Sequence, residues 1–299
     1  MRGRAGNFLG FSGSVCYTFL ERGGVMKRKR VVWAVILAGV SLFFLLGLDT
    51  RLVVREYRLE SEKLTRPVRV VFLSDLHSCE HGAGQGKLLA LVREQEPDYI
   101  LLGGDWVDDD FGHRPPGLAY KAARALGEMC PTFYVSGNHE LWSGYGAELK
   151  QEIAQCGVTV LEGEEVLLPG GLRIFGVDDP AAGEELWSAQ MAEGKGGLSE
   201  ERFSLLLTHR PERVEEYGGF DLVLAGHAHG GQWRLPGVVN GLFAPDQGWF
   251  PDYAGGEYRL ANGGVMIVGR GLSKESTRVP RFFDRPEVVV VDLVPHPTE

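Results

Sequence analysis

From residue 68 onward the chain alternates short apolar runs with stretches of helical period. The apolar runs are 68–73, 99–102, 132–135, 172–177, 203–207 and 222–225. Between them, 87–94, 118–129 and 147–155 carry apolar residues three and four apart. This alternation predicts an α/β domain rather than a sandwich made of hairpins alone. A further strand or stem is expected over 51–59. After Gly230 the character changes to Gly, Pro and aromatic residues, ending in two more strand-like runs, 265–268 and 288–293.

The N-terminal pattern is different. Residues 31–48 hold no charge, and about 18 uncharged residues at 1.5 Å rise just span a bilayer core. A cleaved signal peptide has a shorter apolar region and a small-x-small cleavage site, whereas Leu46-Gly47-Leu48 leads straight into Asp49-Thr50-Arg51. A buried core helix is disfavoured, since the run is apolar on every face and abuts Lys27-Arg28-Lys29-Arg30. An uncleaved transmembrane anchor is therefore expected. Residues 1–25 carry no helix or strand signal, and Met26-Lys-Arg-Lys-Arg reads as a bacterial start, so residues 1–25 are expected not to be translated. The expected organisation is a basic flank and anchor over 26–50 and one domain over 51–299, without a long linker.

Charge narrows the partners. The 299 residues hold 31 Lys and Arg against 40 Asp and Glu, a net −9. Residues 1–30 contain seven cations and one acid, a net +6, which leaves −15 for the rest. So acidic a body repels a nucleic-acid backbone, and no nucleic-acid partner is expected. The four cysteines, Cys16, Cys79, Cys130 and Cys156, show neither C-x-x-C nor zinc-finger spacing. Their scarcity fits an oxidising compartment.

Candidate chemistry collects where five apolar runs end: Asp75 and His77, Asp105, Asn138 and His139, His209, and His227 and His229. Strand ends are where α/β sheets place ligand sites. Five of the eight histidines fall there, and only His81, His113 and His296 do not. Carboxylate, amide oxygen and imidazole without thiolate suit Mn²⁺, Fe²⁺ or Zn²⁺. Seven candidate ligands are too many for one tetrahedral ion and fit two ions that share a carboxylate.

The blocks D-x-H (Asp75 to His77), G-D (Gly104-Asp105), G-N-H-E (Gly137 to Glu140), H (His209) and G-H-x-H (Gly226 to His229) resemble those of the calcineurin-like metallophosphoesterases. GHAHGGQWRLPG and the later VGRGLSKESTRVPRFFDRPEVVVVDL are similar to the membrane-anchored bacterial YaeI/YkuE-like phosphodiesterases, extending the likeness over most of 55–293. The resemblance implies a four-layer α/β/β/α sandwich with a dinuclear metal centre and a hydroxide nucleophile between the ions. It implies Asp75, His77 and His229 on one ion, Asn138, His209 and His227 on the other, and Asp105 bridging both. His139 would stabilise charge and protonate the leaving group, oriented by Asp108, or as second choice by Glu140.

Related Ser/Thr phosphatases carry Arg where this chain has Asp109. A second acid there repels a monoester dianion, so a phosphodiester or pyrophosphate-linked substrate of lipid or cell-envelope origin is expected. A nucleotide-linked lipid pyrophosphatase (UDP-diacylglucosamine type) and a non-catalytic membrane scaffold are the alternatives. A dinuclear peptidase is disfavoured because no H-E-x-x-H occurs. His81 and Cys79 are expected in a solvated turn, Arg270 as a structural or surface residue, and Trp233, Phe243, Trp249, Phe250 and Tyr253 packed in an aromatic cap. The cations Lys27 to Arg30 outnumber Arg51, Arg55 and Arg58 on the other flank, which predicts an extracytoplasmic domain.

Overall fold

A computed structural model describes residues 14–261, 263–276 and 279–296. The chain separates into two compact units between Gly47 and Leu48. The first contains the helix α1 (Ser14–Gly47). Its window Arg28–Gly47 is long and apolar enough to cross a membrane, by length and composition, and a signal sequence passes the same test. The helix starts well before the expected anchor, so residues 14–25 are helical where no such signal was read. Helix growth is cooperative, and the long apolar run extends through Leu, Glu, Lys and Arg, all good helix formers. Residues 1–13, whose expected absence from the translated chain is at issue, lie outside the described residues.

The second unit holds two six-stranded sheets. In chain order its strands are β1 (Val53–Ser61), β2 (Val68–Leu73), β3 (Tyr99–Gly103), β4 (Thr132–Val135), β5 (Thr159–Val160), β6 (Glu165–Leu168), β7 (Leu172–Gly176), β8 (Phe203–Leu207) and β9 (Leu222–Ala225). A short ladder, β10 (Phe243–Ala244) and β11 (Gly248–Trp249), precedes β12 (Gly256–Arg259) and β13 (Val265–Val268). A second ladder, β14 (Glu275–Ser276) and β15 (Val279–Pro280), precedes β16 (Glu287–Pro295). The sheet orders are β1-β16-β2-β3-β4-β5 and β12-β13-β9-β8-β7-β6. Strands β2, β3 and β4 are mutually parallel, as are β7, β8, β9 and β13, so the carboxyl ends within each group share one edge.

Both faces of these strands are covered, which explains why they read as continuous apolar runs. Side chains alternate between two layers. Val70, Phe72, Leu101, Phe133 and Val135 of the first sheet meet Ile174, Leu205, Leu207, Leu222, Leu224 and Ile267 of the second in one inner core. Val71, Leu73, Ile100, Leu102 and Tyr134 point the other way, onto α2 (Gly86–Arg93), α3 (Gly117–Gly127) and, beyond the short α4 (Asn138–Trp142), α5 (Gly146–Gln155). Helix α3 presents Ala119, Ala122, Ala123 and Leu126, the i, i+3, i+4, i+7 face of an amphipathic helix. The outer face of the second sheet is covered by α6 (Glu184–Gly196) through Trp187 and Met191. The result is the expected α/β/β/α sandwich.

Two local expectations change, and a third, for Arg270, holds. His81 is buried rather than solvated, and its Nε2 donates to the Leu272 carbonyl at 2.7 Å. Trp233, Phe243, Trp249 and Phe250 do not pack in a cap: all are exposed, Trp249 and Phe250 by about two thirds (68% and 65%). From the same loop it is Ala244 that is buried in the core, while these large rings face outward. Tyr253 alone of that group packs against a core. Arg270 is structural, its Nε 3.3 Å from the buried Glu287 carboxylate.

Candidate metal centre

The five strand ends converge at the shared edge. Asp75 and His77 follow β2, Asp105 follows β3, and Asn138 and His139 open α4 after β4. From the second sheet, His209 follows β8, and His227 and His229 follow β9. All seven expected ligands are buried. Asp75, His77, Asp105, His227 and His229 have φ between 46° and 66°, the left-handed region that costs a non-glycine residue about 1–3 kcal/mol. That strain is concentrated where the chain must turn side chains inward.

Among the described residues four groups of donors lie within metal-binding reach, and two are made wholly of expected ligands: Asp75, His77, Asp105 and His229, and Asp105, His209 and His227. Asp105 belongs to both. Its Oδ2 lies 3.1 Å from His209 Nε2, 3.5 Å from His77 Nε2 and 4.0 Å from His139 Nε2. Asn138 is buried beside them, and neither its Oδ1 nor its Nδ2 has a hydrogen-bond partner. Asp75 Oδ2 is also unpartnered and buried, and buried His209 Nε2 makes no hydrogen bond, having only the ion-pair approach to Asp105. Such groups are rarely left unsatisfied, so a ligand set without its cation fits them. The other ends of these side chains are fixed: Asp75 Oδ1 accepts from the His227 amide at 2.8 Å, and His209 Nδ1 donates to the Gly103 carbonyl at 2.7 Å, which turns Nε2 toward Asp105. Gly104, at φ 85°, allows this closeness, since a Cβ there would stand 2.7 Å from His209 Nδ1.

Electrostatics agree. Burial opposes a charged His209, yet the adjacent Asp105 carboxylate raises its pKa to about 10. Burial likewise opposes charge on His77, but Asp108 and Asp105 raise it. His229 is pushed well below the usual range by burial and by His77. The buried carboxylates thus draw positive charge into the cluster, as a cation site requires.

His139 behaves differently from the expectation that Asp108 orients it. Its Nδ1 is 2.7 Å from Asp109 Oδ1, while Asp108 Oδ2 lies 3.4 Å from His77 Nδ1 and 3.2 Å from Arg114. Adjacent residues point in opposed directions along the loop, so only one of them faces α4. Glu140 does neither. Buried completely, it accepts the amides of Asp105 (3.0 Å), Gly137 (2.9 Å) and Val107 (2.9 Å), clamping the Asp105 turn to the start of α4. Burial and the nearby Asp105 raise its pKa.

Arg210 went unnoticed in the sequence, although it follows His209 directly. It is buried, its Nη2 donates to Asp179 Oδ1 at 3.0 Å, and its Nη1 meets Asp246 and approaches His227 Nε2 to 3.0 Å. Asp246 Oδ2 is itself 2.9 Å from His227 Nε2. Above the cluster opens a cleft of about 440 Å³ lined by His77, Asp105, Asp108, Asp109, Asp110, His113, Arg114, Asn138, His139, Trp142, His227, His229 and Pro245.

Residues 68–231 match the family of calcineurin-like phosphoesterases. The chain is 30% identical over 253 residues to a metallophosphoesterase of Aquifex aeolicus, covering 80% of this chain and 91% of that protein. It is 32% identical over 235 residues to the phosphodiesterase YaeI of Escherichia coli (76% and 83% covered) and 29% over 239 residues to the metallophosphoesterase YkuE of Bacillus subtilis (75% and 78%). With its Asp and His clusters on the strand ends of an α/β sandwich, the chain belongs to the calcineurin-like phosphoesterases and is a hydrolase acting on ester bonds.

Proposed function

We propose that the chain is a membrane-anchored phosphodiesterase working with two divalent ions. The observation that carries the reading is the position of Asp105, one carboxylate shared by two donor groups, with unpartnered Asp75 and Asn138 atoms around it and His209 Nε2 turned toward it. Asp75, His77 and His229 would hold one ion, Asn138, His209 and His227 the other, and Asp105 both. When bound, such ions supply an acidified water as nucleophile and a clamp on the phosphoryl oxygens. The mixed oxygen and imidazole set favours Mn²⁺, Fe²⁺ or Zn²⁺.

The protein's own groups do the rest. Asp109 accepts the Nδ1 proton of His139, so Nε2 faces the cleft and, when protonated, gives its proton to the leaving oxygen. Asp108 orients His77 by the same logic, so its role here is positioning. The carboxylates of Asp108, Asp109 and Asp110 on the cleft wall disfavour a monoester dianion and support a diester or pyrophosphate substrate. The domain over 51–299 is tethered by the segment 26–50, and the cations Lys27 to Arg30 favour an extracytoplasmic face.

Detergent-solubilised full chain should hydrolyse bis-p-nitrophenyl phosphate faster than p-nitrophenyl phosphate, with Mn²⁺ stimulating and a chelator abolishing both. Hydrolysis indifferent to metal, or a monoester preference, would remove the proposal. Protease added to spheroplasts tests sidedness: digestion of the domain is expected, and protection until lysis would place it inside.

A further inference from the structure

We propose that the segment from Trp233 to Phe250 is a bilayer-contacting surface at the mouth of the metal cleft, and that the substrate is a phosphodiester presented in a lipid headgroup. This rests on the phosphodiesterase reading above and names the source of its substrate.

The segment is ordered by its own hydrogen bonds. Leu242 N donates to Gly231 O and Phe250 N to Leu242 O, while β10 and β11 pair Phe243 with Trp249. Their rings meet edge to face at 5.6 Å. Yet the fold turns these side chains outward: Val238 is 75% exposed, and Trp249 and Phe250 nearly as much. Phe250 also has φ 56°, a strained backbone for a bulky residue whose side chain gains no burial in return. An ordered, strained loop that presents large apolar groups to water marks a contact surface.

Its place specifies which contact. Pro245 of the same loop lines the cleft, and Asp246 reaches the candidate ligand His227. Across the cleft, Trp142 is 60% exposed on α4, its ring 5.4 Å from that of His139. Exposed aromatics therefore stand on both sides of a polar, carboxylate-lined floor, the pattern an amphiphile with an anionic headgroup and apolar tail would match. A bilayer, rather than a protein, is the occupant we infer because the same chain carries the apolar window Arg28–Gly47, and such a tether holds the domain at high effective concentration over lipid. Trp and Phe at a water–lipid boundary suit that role. The segment carries one cation, Arg234, and one acid, Asp246, so contact should not need anionic lipid.

The test uses the full chain in phosphatidylcholine vesicles containing a diacylglycerol p-nitrophenyl phosphodiester, with its deacylated analogue and bis-p-nitrophenyl phosphate as soluble comparisons. Trp249→Ser with Phe250→Ser should lower kcat/KM on the vesicle substrate roughly 10- to 100-fold, with both soluble diesters cleaved at the wild-type rate. In vesicles with brominated acyl chains, Trp249→Phe should lose a quenched component of the wild-type emission, whatever the activity, while the component from Trp33 in the apolar window stays. An unchanged vesicle rate, or Trp249 emission untouched by brominated lipid, overturns the proposal. Shielding of Trp249 from both brominated lipid and aqueous iodide would assign the surface to a protein partner or second copy instead. Absence of metal-dependent cleavage of bis-p-nitrophenyl phosphate would reject the phosphodiesterase reading, while quenching alone would still report the bilayer contact.

Discussion

Replacing Glu140 by Gln tests the idea that the metal cluster is held by backbone clamps as much as by its own ligands. The carboxylate takes three amide protons, two on Oε2 and one on Oε1. A Gln side chain keeps its oxygen toward Asp105 and Gly137, and then its NH₂ confronts the Val107 N–H, leaving two buried donors face to face. Losing one hydrogen bond to a charged acceptor and stranding a buried donor sums to about 2–4 kcal/mol of destabilisation. The second effect is local: Asp105 sits at φ 49°, and its amide bond to Glu140 helps to keep it there. Groups that orient metal ligands typically change metal affinity by about 10- to 100-fold when altered. Urea unfolding of the detergent-solubilised protein, with metal titration by calorimetry, reads both quantities. Stability within about 0.5 kcal/mol of wild type together with unchanged metal affinity would refute the clamp.

Other expectations follow from the same geometry. Asp105→Asn should lower the stoichiometry of both ions, measured by elemental analysis, whereas His139→Ala should leave metal content intact and reduce kcat by about 10²- to 10⁴-fold. Asp109→Asn should depress kcat through His139 at full metal content, while Asp108→Asn should loosen metal retention through His77; the reverse assignment would show that the loop pairs these residues the other way. His81 gives a pH signature: burial lowers its pKa to about 4. Between that value and an unfolded value near 6.5 the unfolded chain binds the extra proton, so stability is full above pH 6.5 and falls as the pH drops towards 4. The loss between pH 7 and pH 5 should be about 2 kcal/mol by denaturant titration, and His81→Gln should remove that component.

Strands buried on both faces advertise themselves as unbroken apolar runs, so β2, β3, β4, β8 and β9 were legible, and with them the strand ends that carry the expected ligands. Helix α6 was not, because its buried positions are Trp187, Gln190, Met191 and Gly194, two of which carry no apolar signal. The edge strands β6 and β12 have only partly buried faces and so lacked a continuous run. Which of Asp108 and Asp109 meets His139 depends on the loop's backbone path, which residue order does not encode. The Arg210 cluster joins Asp179, Asp246 and His227 from three separate loops, and no local spacing reveals such a meeting. The aromatic segment after Gly230 was visible by composition alone, since packing and exposure use the same residues.

The placement of β16 bears on how the domain is assembled. This strand lies between β1 and β2, pairing in parallel with all nine residues of β1 and antiparallel to β2, so that Arg69 and Asp292 meet across 223 residues of chain. While the chain is being synthesised, the first two strands have no neighbour for their facing edges. The sheet closes only after β16 emerges, and contacts this distant in sequence slow folding. Until its last strand is made, a growing chain therefore keeps its β1–β2 seam open, a slack state that the finished sandwich does not offer.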